Sequence, residues 1–137
     1  AFFLIKEAMP YLEQQKNSSI VIVSSIAGYQ PMDLIGAYSI SKTALLGLTK
    51  ALVDPCAQKG IRINGIAPGI IKTKFSQQLW SGNEVEENKP IPFSGCALNR
   101  VGTPDECAGT VTFLVSDDAA YVTGETIVTA GGMPSHL

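Results

Sequence analysis

Residues 20–25 read Ile-Val-Ile-Val-Ser-Ser, four β-branched residues followed by two hydroxyl side chains. Because all four β-branched residues are apolar, the run is apolar on both faces, as expected of a central strand in a parallel sheet that is covered on both sides. A polar stretch over residues 16–19 predicts a turn before the strand, and residues 28–36 predict a loop after it. Ser24 and Ser25 therefore stand at the end of a buried strand.

Helical and extended patterns alternate on either side of this strand. Apolar spacing predicts helices over residues 1 to about 15, from about 37 to about 58 and from 104 onward, with strands over 61–64 and 126–128. The last helix has the clearest start, with Thr103 as the N-cap, Pro104 at the first helical position and Glu106 completing a capping box. The residues expected on the buried face of the middle helix are Ala44, Leu45, Leu48, Ala51 and Leu52. Strands joined by helical crossovers predict a parallel sheet with helices on both faces.

Prolines mark the remaining segments. Pro10 is expected to bend the first helix, and Pro55 is expected to bend the middle helix late in its course. Ala67-Pro68-Gly69 predicts a sharp turn that closes the second strand. Residues 74 to about 100 read as irregular, which is typical of lids and binding loops, and Trp80 within them either lines a substrate pocket or anchors the loop.

Composition restricts the class of protein. The chain has 137 residues, 45% apolar and 16% charged, with a net charge of −2, so it holds one domain at most and has no basic surplus for nucleic acid. No apolar run approaches the roughly 20 residues of a membrane helix. Three cysteines without close pairing favour a reducing compartment and argue against a disulfide framework or a metal site.

The chain opens at Ala1 inside an apolar helical pattern, without a capping residue. Three strands also make a small sheet with an open edge. We therefore expect residues 1–137 to form a single partial domain, the C-terminal half of a doubly wound, Rossmann-type α/β sheet.

Tyr38 and Lys42 carry the chemistry that the sequence suggests. Residues four apart lie on one face of a helix, and an ammonium beside a phenol can lower the tyrosine pKa from roughly 10 toward working pH. Such a phenol can donate a proton to a carbonyl or accept one from an alcohol. Ser25, thirteen residues before Tyr38, could hold the substrate oxygen. Ser24 is its rival, but strand alternation puts the two serines on opposite sides, and the spacing favours Ser25.

Each of these residues also has a structural interpretation. Tyr38 could be a half-buried tyrosine and Lys42 a solvated lysine. The other three tyrosines, Tyr11, Tyr29 and Tyr121, lack a lysine four residues later and are expected to serve packing.

Taken together, the motifs resemble those of the short-chain dehydrogenase/reductase family. Residues 20–28 are similar to its catalytic-serine strand, 38–42 to its Y-x-x-x-K motif, 64–73 to its P-G loop and 124–132 to its last strand. The resemblance implies that Tyr38 donates the proton, that Lys42 lowers the pKa of Tyr38 and hydrogen-bonds the nicotinamide ribose, and that Ser25 orients the carbonyl. It also implies a cofactor-binding segment for the carboxamide end of the nicotinamide, formed by Pro68, Gly69, Ile71 and Thr73.

Residues 42–50, 71–76 and 107–119 resemble one branch of that family, the peroxisomal NADPH-dependent retinal and carbonyl reductases. This resemblance implies NADP(H) as cofactor and retinal, aromatic ketones or α-dicarbonyls as substrates. It also implies a homo-tetramer in which the Tyr38-bearing helix packs across a subunit interface. Relatives have a continuous helix there, so Pro55 departs from the family pattern. Ser135-His136-Leu137 resembles the Ser-Lys-Leu peroxisomal address read by the import receptor, with the cytoplasm as the alternative.

The family's glycine-rich phosphate loop and the asparagine of its catalytic tetrad have no counterpart in this chain. A second hypothesis is therefore a truncated, inactive product that acts, if at all, by pairing with intact subunits. An epimerase or dehydratase using the same Y-x-x-x-K motif is the less favoured third interpretation.

Overall fold

The computed structural model describes residues 1–77 and 95–135. Its elements in chain order are helix α1 (Phe2–Leu12), strand β1 (Ser19–Val23), helix α2 (Gly36–Ala51), helix α3 (Val53–Ala57), strand β2 (Arg62–Pro68), helix α4 (Pro104–Val115) and strand β3 (Thr126–Thr129). Short 3-10 turns cover Ile26–Gly28, Asp33–Ile35 and Asp117–Ala119. The predicted alternation of strands and helices is confirmed in this part of the chain.

The three strands form one parallel sheet in the order β1-β2-β3. Ser19 pairs with Arg62 and Gly65 pairs with Thr126, so β2 has a hydrogen-bonded neighbour on each side. The expectation that β1 is a central strand is wrong for the described residues, since β1 lies at an edge and Val23 is 52% exposed. The strand order depends on pairing between distant segments, which the composition of one strand cannot reveal.

β2 is longer than its sequence suggests. The predicted turn at Ala67-Pro68-Gly69 is wrong, because Pro68 still pairs with Thr129 and the Gly69 N–H donates to the Thr129 carbonyl at 3.1 Å. A proline is tolerated there because its nitrogen faces the side of β1, whose pairing with β2 ends at Val23 and Ile66, so no ladder hydrogen bond is lost. Residues 68–73, the P-G segment, therefore begin beside the end of β3.

A core cluster joins α1, β1, α3 and β2 through Ile5, Ile22, Cys56, Ile61 and Ile63. Met9 and Leu12 of α1 also pack on this cluster, whereas Phe2 is exposed. Leu45 and Leu48 of α2, and Leu52 just after it, pack on the same cluster. Ala44 and Ala51 were expected beside them but are exposed, and the buried positions of α2 are Ser39 and Thr49.

Pro55 interrupts the helix that carries Tyr38, as the sequence predicted. Helix α2 ends at Ala51, Leu52 leaves the helical region with φ −94° and ψ 2°, and Pro55 lies inside the short helix α3. A proline lacks the N–H that would bond to the carbonyl four residues earlier, which here belongs to Ala51. The break therefore falls where that bond is lost, several turns after Tyr38.

Helix α4 begins with the predicted capping box, in which the Glu106 carboxylate accepts the Thr103 N–H at 2.8 Å. Arg100 also pairs with Glu106. Hydrogen bonds from Arg100 and from the Thr103 backbone lower the pKa of Glu106 to about 2. Across the described residues, none of the helices has the length and apolar character needed to cross a membrane.

Candidate active site

The candidate site lies at the carboxyl ends of the strands. Ser24 and Ser25 follow β1, Gly69 follows β2, and Thr129 ends β3. In open parallel sheets with flanking helices, ligands bind in the crevice outside these ends. Helix α2 packs against the 3-10 turn that follows β1, so its first turns, with Tyr38, stand at the same edge.

Lys42 lies one helical turn after Tyr38 and beside its ring. The Lys42 ammonium nitrogen is 5.4 Å from the Tyr38 ring centroid and donates to the Val23 carbonyl at 3.0 Å. The lysine is therefore tied both to the tyrosine and to the last residue of β1. A cation within about 6 Å of the centroid of an aromatic ring is attracted by the electrons of the ring face.

Ser25 is buried at the exit of β1. Its backbone is extended, and its hydroxyl oxygen accepts the Ala27 N–H at 3.2 Å, which caps the 3-10 turn Ile26–Gly28. Since that bond uses the oxygen as an acceptor, the hydroxyl hydrogen remains available to donate to another group.

Ser24 has a different partner from Ser25, as strand alternation predicted. The Ser24 hydroxyl donates to the Lys42 backbone carbonyl at 2.8 Å. The Thr43 hydroxyl donates to the Gly28 carbonyl at 2.7 Å, and a Cβ at Gly28 would lie 2.9 Å from the Lys42 carbonyl carbon. These contacts join α2 to the end of β1 and so position Lys42. From the sequence, Ser24 was expected only as a rival of Ser25 for holding the substrate oxygen, and its contact with α2 was not predicted.

The P-G segment is anchored to the start of α4. Ile71 forms a parallel bridge with Gly102, in which the Gly102 N–H donates to the Ile70 carbonyl at 2.9 Å and the Lys72 N–H donates to the Gly102 carbonyl at 2.8 Å. In a parallel bridge of this kind, the N–H and carbonyl of the middle residue point away from the partner strand. The backbone groups of Ile71 therefore face away from Gly102.

Ser76, which the sequence analysis did not single out, shapes the end of this segment. Its hydroxyl lies 2.9 Å from the Thr73 hydroxyl and also donates to the Ile71 carbonyl. The Ser76 N–H in turn donates to the Thr73 hydroxyl at 3.3 Å. Thr73 and Ser76 thus close a turn, a role that serine and threonine commonly take in loops.

Phe75 connects this turn to the tyrosine. Its ring centroid is 6.0 Å from that of Tyr38, with an angle of 40° between the rings, and its side chain is 83% exposed. The structure therefore brings Tyr38, Lys42 and the P-G segment to one edge of the sheet, next to the strand end that carries Ser25.

Other predicted residues lie elsewhere. Tyr11 is 73% exposed and Tyr121 is fully exposed, so the expectation that they serve packing is wrong. Trp80 and the last two residues, 136 and 137, lie outside the described residues.

Comparisons with known proteins agree with this geometry. A family model described as "Enoyl-(Acyl carrier protein) reductase" matches residues 1–134. A relative from Bos taurus named "Dehydrogenase/reductase SDR family member 4" is 49% identical over 134 residues, which cover 98% of this chain and 47% of the relative. The chain belongs to the short-chain dehydrogenase/reductase family. It spans about half the length of the curated relatives it matches.

Solved structures of the family superpose on the chain. One is the NADPH-bound structure of a short chain oxidoreductase from Pseudomonas aeruginosa PAO1 that contains an atypical catalytic center. Its TM-score is 0.87 at 28% identity, and the match covers 97% of this chain and 52% of the Pseudomonas aeruginosa chain. A short-chain dehydrogenase/reductase from Brucella melitensis has a TM-score of 0.81 at 37% identity, covering 96% and 50%. The predicted partial Rossmann-type sheet is confirmed by these neighbours.

Proposed function

We propose that this chain carries the catalytic residues of an NADP(H)-dependent carbonyl reductase or alcohol dehydrogenase that acts on retinal, aromatic ketones or α-dicarbonyls. The observation that carries the proposal is the position of the Lys42 ammonium, 5.4 Å from the Tyr38 ring and bonded to the end of the strand that leads to Ser25. The name of the Bos taurus relative and the NADPH in the Pseudomonas aeruginosa neighbour support the reaction class and the cofactor.

In the proposed reduction, the Tyr38 hydroxyl donates its proton to the carbonyl oxygen of the substrate. The Lys42 ammonium, 5.4 Å from the Tyr38 ring centroid, attracts the negative charge that Tyr38 acquires when it gives up the proton. Ser25 donates a hydrogen bond to the same oxygen, and this bond strengthens as negative charge develops there. In the reverse direction the Tyr38 phenolate accepts the proton of the alcohol, while Ser25 keeps its hydrogen bond to the substrate oxygen.

The P-G segment suits the carboxamide of a nicotinamide. NADPH supplies the hydride when bound. A carboxamide offers one acceptor and one donor group. The Ile71 N–H faces away from Gly102 and can meet the acceptor, and the Ile71 carbonyl, which already accepts from the Ser76 hydroxyl, keeps a second lone pair for the donor. The Thr73 hydroxyl lies on the same segment, Pro68 and Gly69 hold that segment against β3, and Tyr38 and Lys42 would meet the ribose.

Tyr38→Phe tests the proton donor. Loss of general acid catalysis should lower kcat by about 10²- to 10⁴-fold with an aromatic ketone, whereas NADPH affinity, measured by nucleotide fluorescence, should stay within a few fold. A Tyr38→Phe protein that keeps its turnover would remove Tyr38 from the mechanism.

The two serines provide a matched pair of variants. Ser25→Ala should lower kcat/KM by about 10²-fold, since it removes an oxyanion donor, and should also cost about 1 kcal/mol of unfolding free energy, since the Ala27 N–H loses its acceptor. Ser24→Ala should lower the free energy of unfolding by about 1 kcal/mol with turnover retained, because it removes the hydrogen bond that joins the Lys42 carbonyl of α2 to the end of β1. If Ser24→Ala abolishes turnover at unchanged stability and Ser25→Ala does not, the assignment of the two serines is reversed.

A second candidate function is that the 137-residue chain is inactive by itself and acts by pairing with intact subunits. Phe3 (76%) and Leu4 (75%) of α1 and Val23 (52%) of the edge strand β1 are exposed apolar side chains, which favour contact with another protein surface. Titration of NADPH fluorescence with the 137-residue chain separates the candidates. Micromolar binding and ketone reduction by the chain alone would reject the second one.

The localisation proposal is a peroxisomal address at Ser135-His136-Leu137. A fluorescent protein that ends in residues 128–137 should co-localise with a peroxisomal marker, and deletion of the last three residues should return it to the cytoplasm. A diffuse signal from the intact fusion would favour the cytoplasm.

A further inference from the structure

A second feature of the molecule is a cavity of about 230 Å³ behind the P-G segment. It lies between the end of β3, the first turns of α4 and the chain that precedes α4. Its walls include apolar side chains of Ile70, Val128 and Met133, together with two cysteines and Arg100. Tyr38, Lys42 and Ser25 do not line it, whereas Ile71 of the proposed nicotinamide segment does.

Cys107 and Cys96 reach this cavity from different segments. Cys107, on α4, is partly exposed, and its sulfur lies 3.8 Å from the Thr129 hydroxyl oxygen. Cys96 is buried, and its sulfur lies 3.2 Å from the Gly131 carbonyl oxygen. The two thiols therefore contact Thr129, the last residue of β3, and Gly131, two residues later. A pair of soft nucleophiles in a mostly apolar cavity is suited to a soft, weakly polar electrophile.

We propose that this cavity is a covalent-modification site for small α,β-unsaturated carbonyl compounds, with Cys107 as the nucleophile. The Cys107 sulfur forms a bond to the β-carbon, and the π electrons of the C=C bond move to the carbonyl oxygen as an enolate. The enolate takes up a proton from water, while the thiol proton has passed to water. The net change adds S–H across the C=C bond, so the step requires no oxidant or reductant.

Size and access restrict the ligand and identify the thiol. Pockets that hold drug-sized ligands measure roughly 300–1,000 Å³, so this smaller cavity admits only a compact molecule. Cys107 is the more accessible of the two thiols, since Cys96 is only 7% exposed. Arg100 also lines the cavity, but it is paired with Glu106 on the same wall, so selection of the ligand rests on size and on the thiol.

The cavity shares a wall with the proposed nicotinamide segment. The side chain of Ile71 packs closely on Gly102, with its Cδ1 only 2.7 Å from where a Gly102 Cβ would lie, and Ile70 and Ile71 both line the cavity. An adduct on Cys107 would therefore press on the segment that carries the Ile71 backbone groups. The expected consequence, which rests on the proposed function, is weaker NADPH binding; the modification itself does not depend on it.

N-ethylmaleimide, a compact Michael acceptor, provides the test. The purified protein is treated at neutral pH, and adducts are located by peptide mass spectrometry over time. Cys56 is the internal control, because it is 0% exposed and burial raises the pKa of its thiol. Cys107 should react at least about 100-fold faster than Cys56, which reacts only through opening of the fold. Equal rates at the two cysteines would overturn the proposal.

A bulky reagent distinguishes a cavity from an ordinary surface thiol. With N-(1-pyrenyl)maleimide, the rate at Cys107 relative to glutathione should fall by about 10-fold or more, because the cavity lies below the size of drug-sized pockets. Equal relative rates for the two maleimides would show a surface thiol and refute the cavity. Cys107→Ser should lose the fast adduct and Cys96→Ser should keep it; the opposite result would transfer the reaction to Cys96.

Discussion

Replacing Gly69 by alanine should disrupt the junction between the ends of β2 and β3. A Cβ at residue 69 would lie 2.9 Å from the Ala130 Cα, 3.0 Å from its Cβ and 3.3 Å from the Met133 sulfur. Because the nearest of these atoms belongs to the backbone, it cannot rotate away as a flexible side chain could. The two strand ends must separate instead.

The contacts around Gly69 give the magnitude. Carbon atoms pack best at about 3.5–4.0 Å, so the strand ends must separate by roughly 0.6 Å. The hydrogen bond from the Gly69 N–H to the Thr129 carbonyl is already 3.1 Å long, and that displacement takes it beyond the normal range. Overpacking of about 1–3 kcal/mol and one lost hydrogen bond of about 1 kcal/mol together lower the free energy of unfolding by about 2–4 kcal/mol.

Gly47→Ala is the matched control, because Gly47 lies inside α2 and a Cβ there would have no neighbour within 4 Å. This variant should gain about 0.5–1 kcal/mol, the ordinary advantage of alanine over glycine in a helix. Thermal unfolding followed by circular dichroism compares the two, with Gly69→Ala expected to lower Tm by about 8–16 °C. A Gly69→Ala protein that melts within about 2 °C of the wild type would refute the reasoning, since that corresponds to less than 1 kcal/mol.

Two further outcomes are expected. Asn64 is fully buried, donates to the Val122 carbonyl at 2.8 Å and accepts the Glu125 N–H at 3.1 Å. Asn64→Ala should therefore lower the free energy of unfolding in urea by about 2–4 kcal/mol, and an unchanged urea midpoint would contradict this role. The pKa of Glu106 is about 2 in the folded chain, below about 4.3 when unfolded, so its ionised form stabilises the fold above about pH 4.3 and this contribution is lost as the pH falls toward 2. The difference in urea midpoint between wild type and Glu106→Gln should shrink from pH 6 to pH 2, and a constant difference would exclude this linkage.

Local signals in the sequence predicted the elements of the fold well. The β-branched run before Ser24, the capping box at Thr103 and Glu106 and the break caused by Pro55 all depend on interactions within a few residues. The length of β2 was underestimated because Pro68 and Gly69 are typical turn residues, and only pairing with β3 keeps them extended. Burial was predicted less well for Ala44, since exposure depends on what lies opposite the helix.

The candidate site divides in the same way. The spacing of Tyr38 and Lys42 alone predicted that the two side chains lie together, because residues four apart meet on one face of a helix. The contacts of Ser24 and Phe75 could not be predicted, since their partners are Lys42 and Tyr38 across 18 and 37 positions of chain. No periodicity within a segment encodes such a distance.

The amino-acid sequence by itself determined the alternation of strands and helices, the start of α4 and the shared helix face of Tyr38 and Lys42, because each follows from steric and hydrogen-bonding preferences over one or two turns of chain. Only the tertiary structure decided that β2 is central among the described strands, that the Lys42 ammonium bonds to the end of β1, and that two cysteines share a cavity behind the P-G segment. These features depend on how separate elements pack, and packing is a property of the whole assembled sheet and its helices.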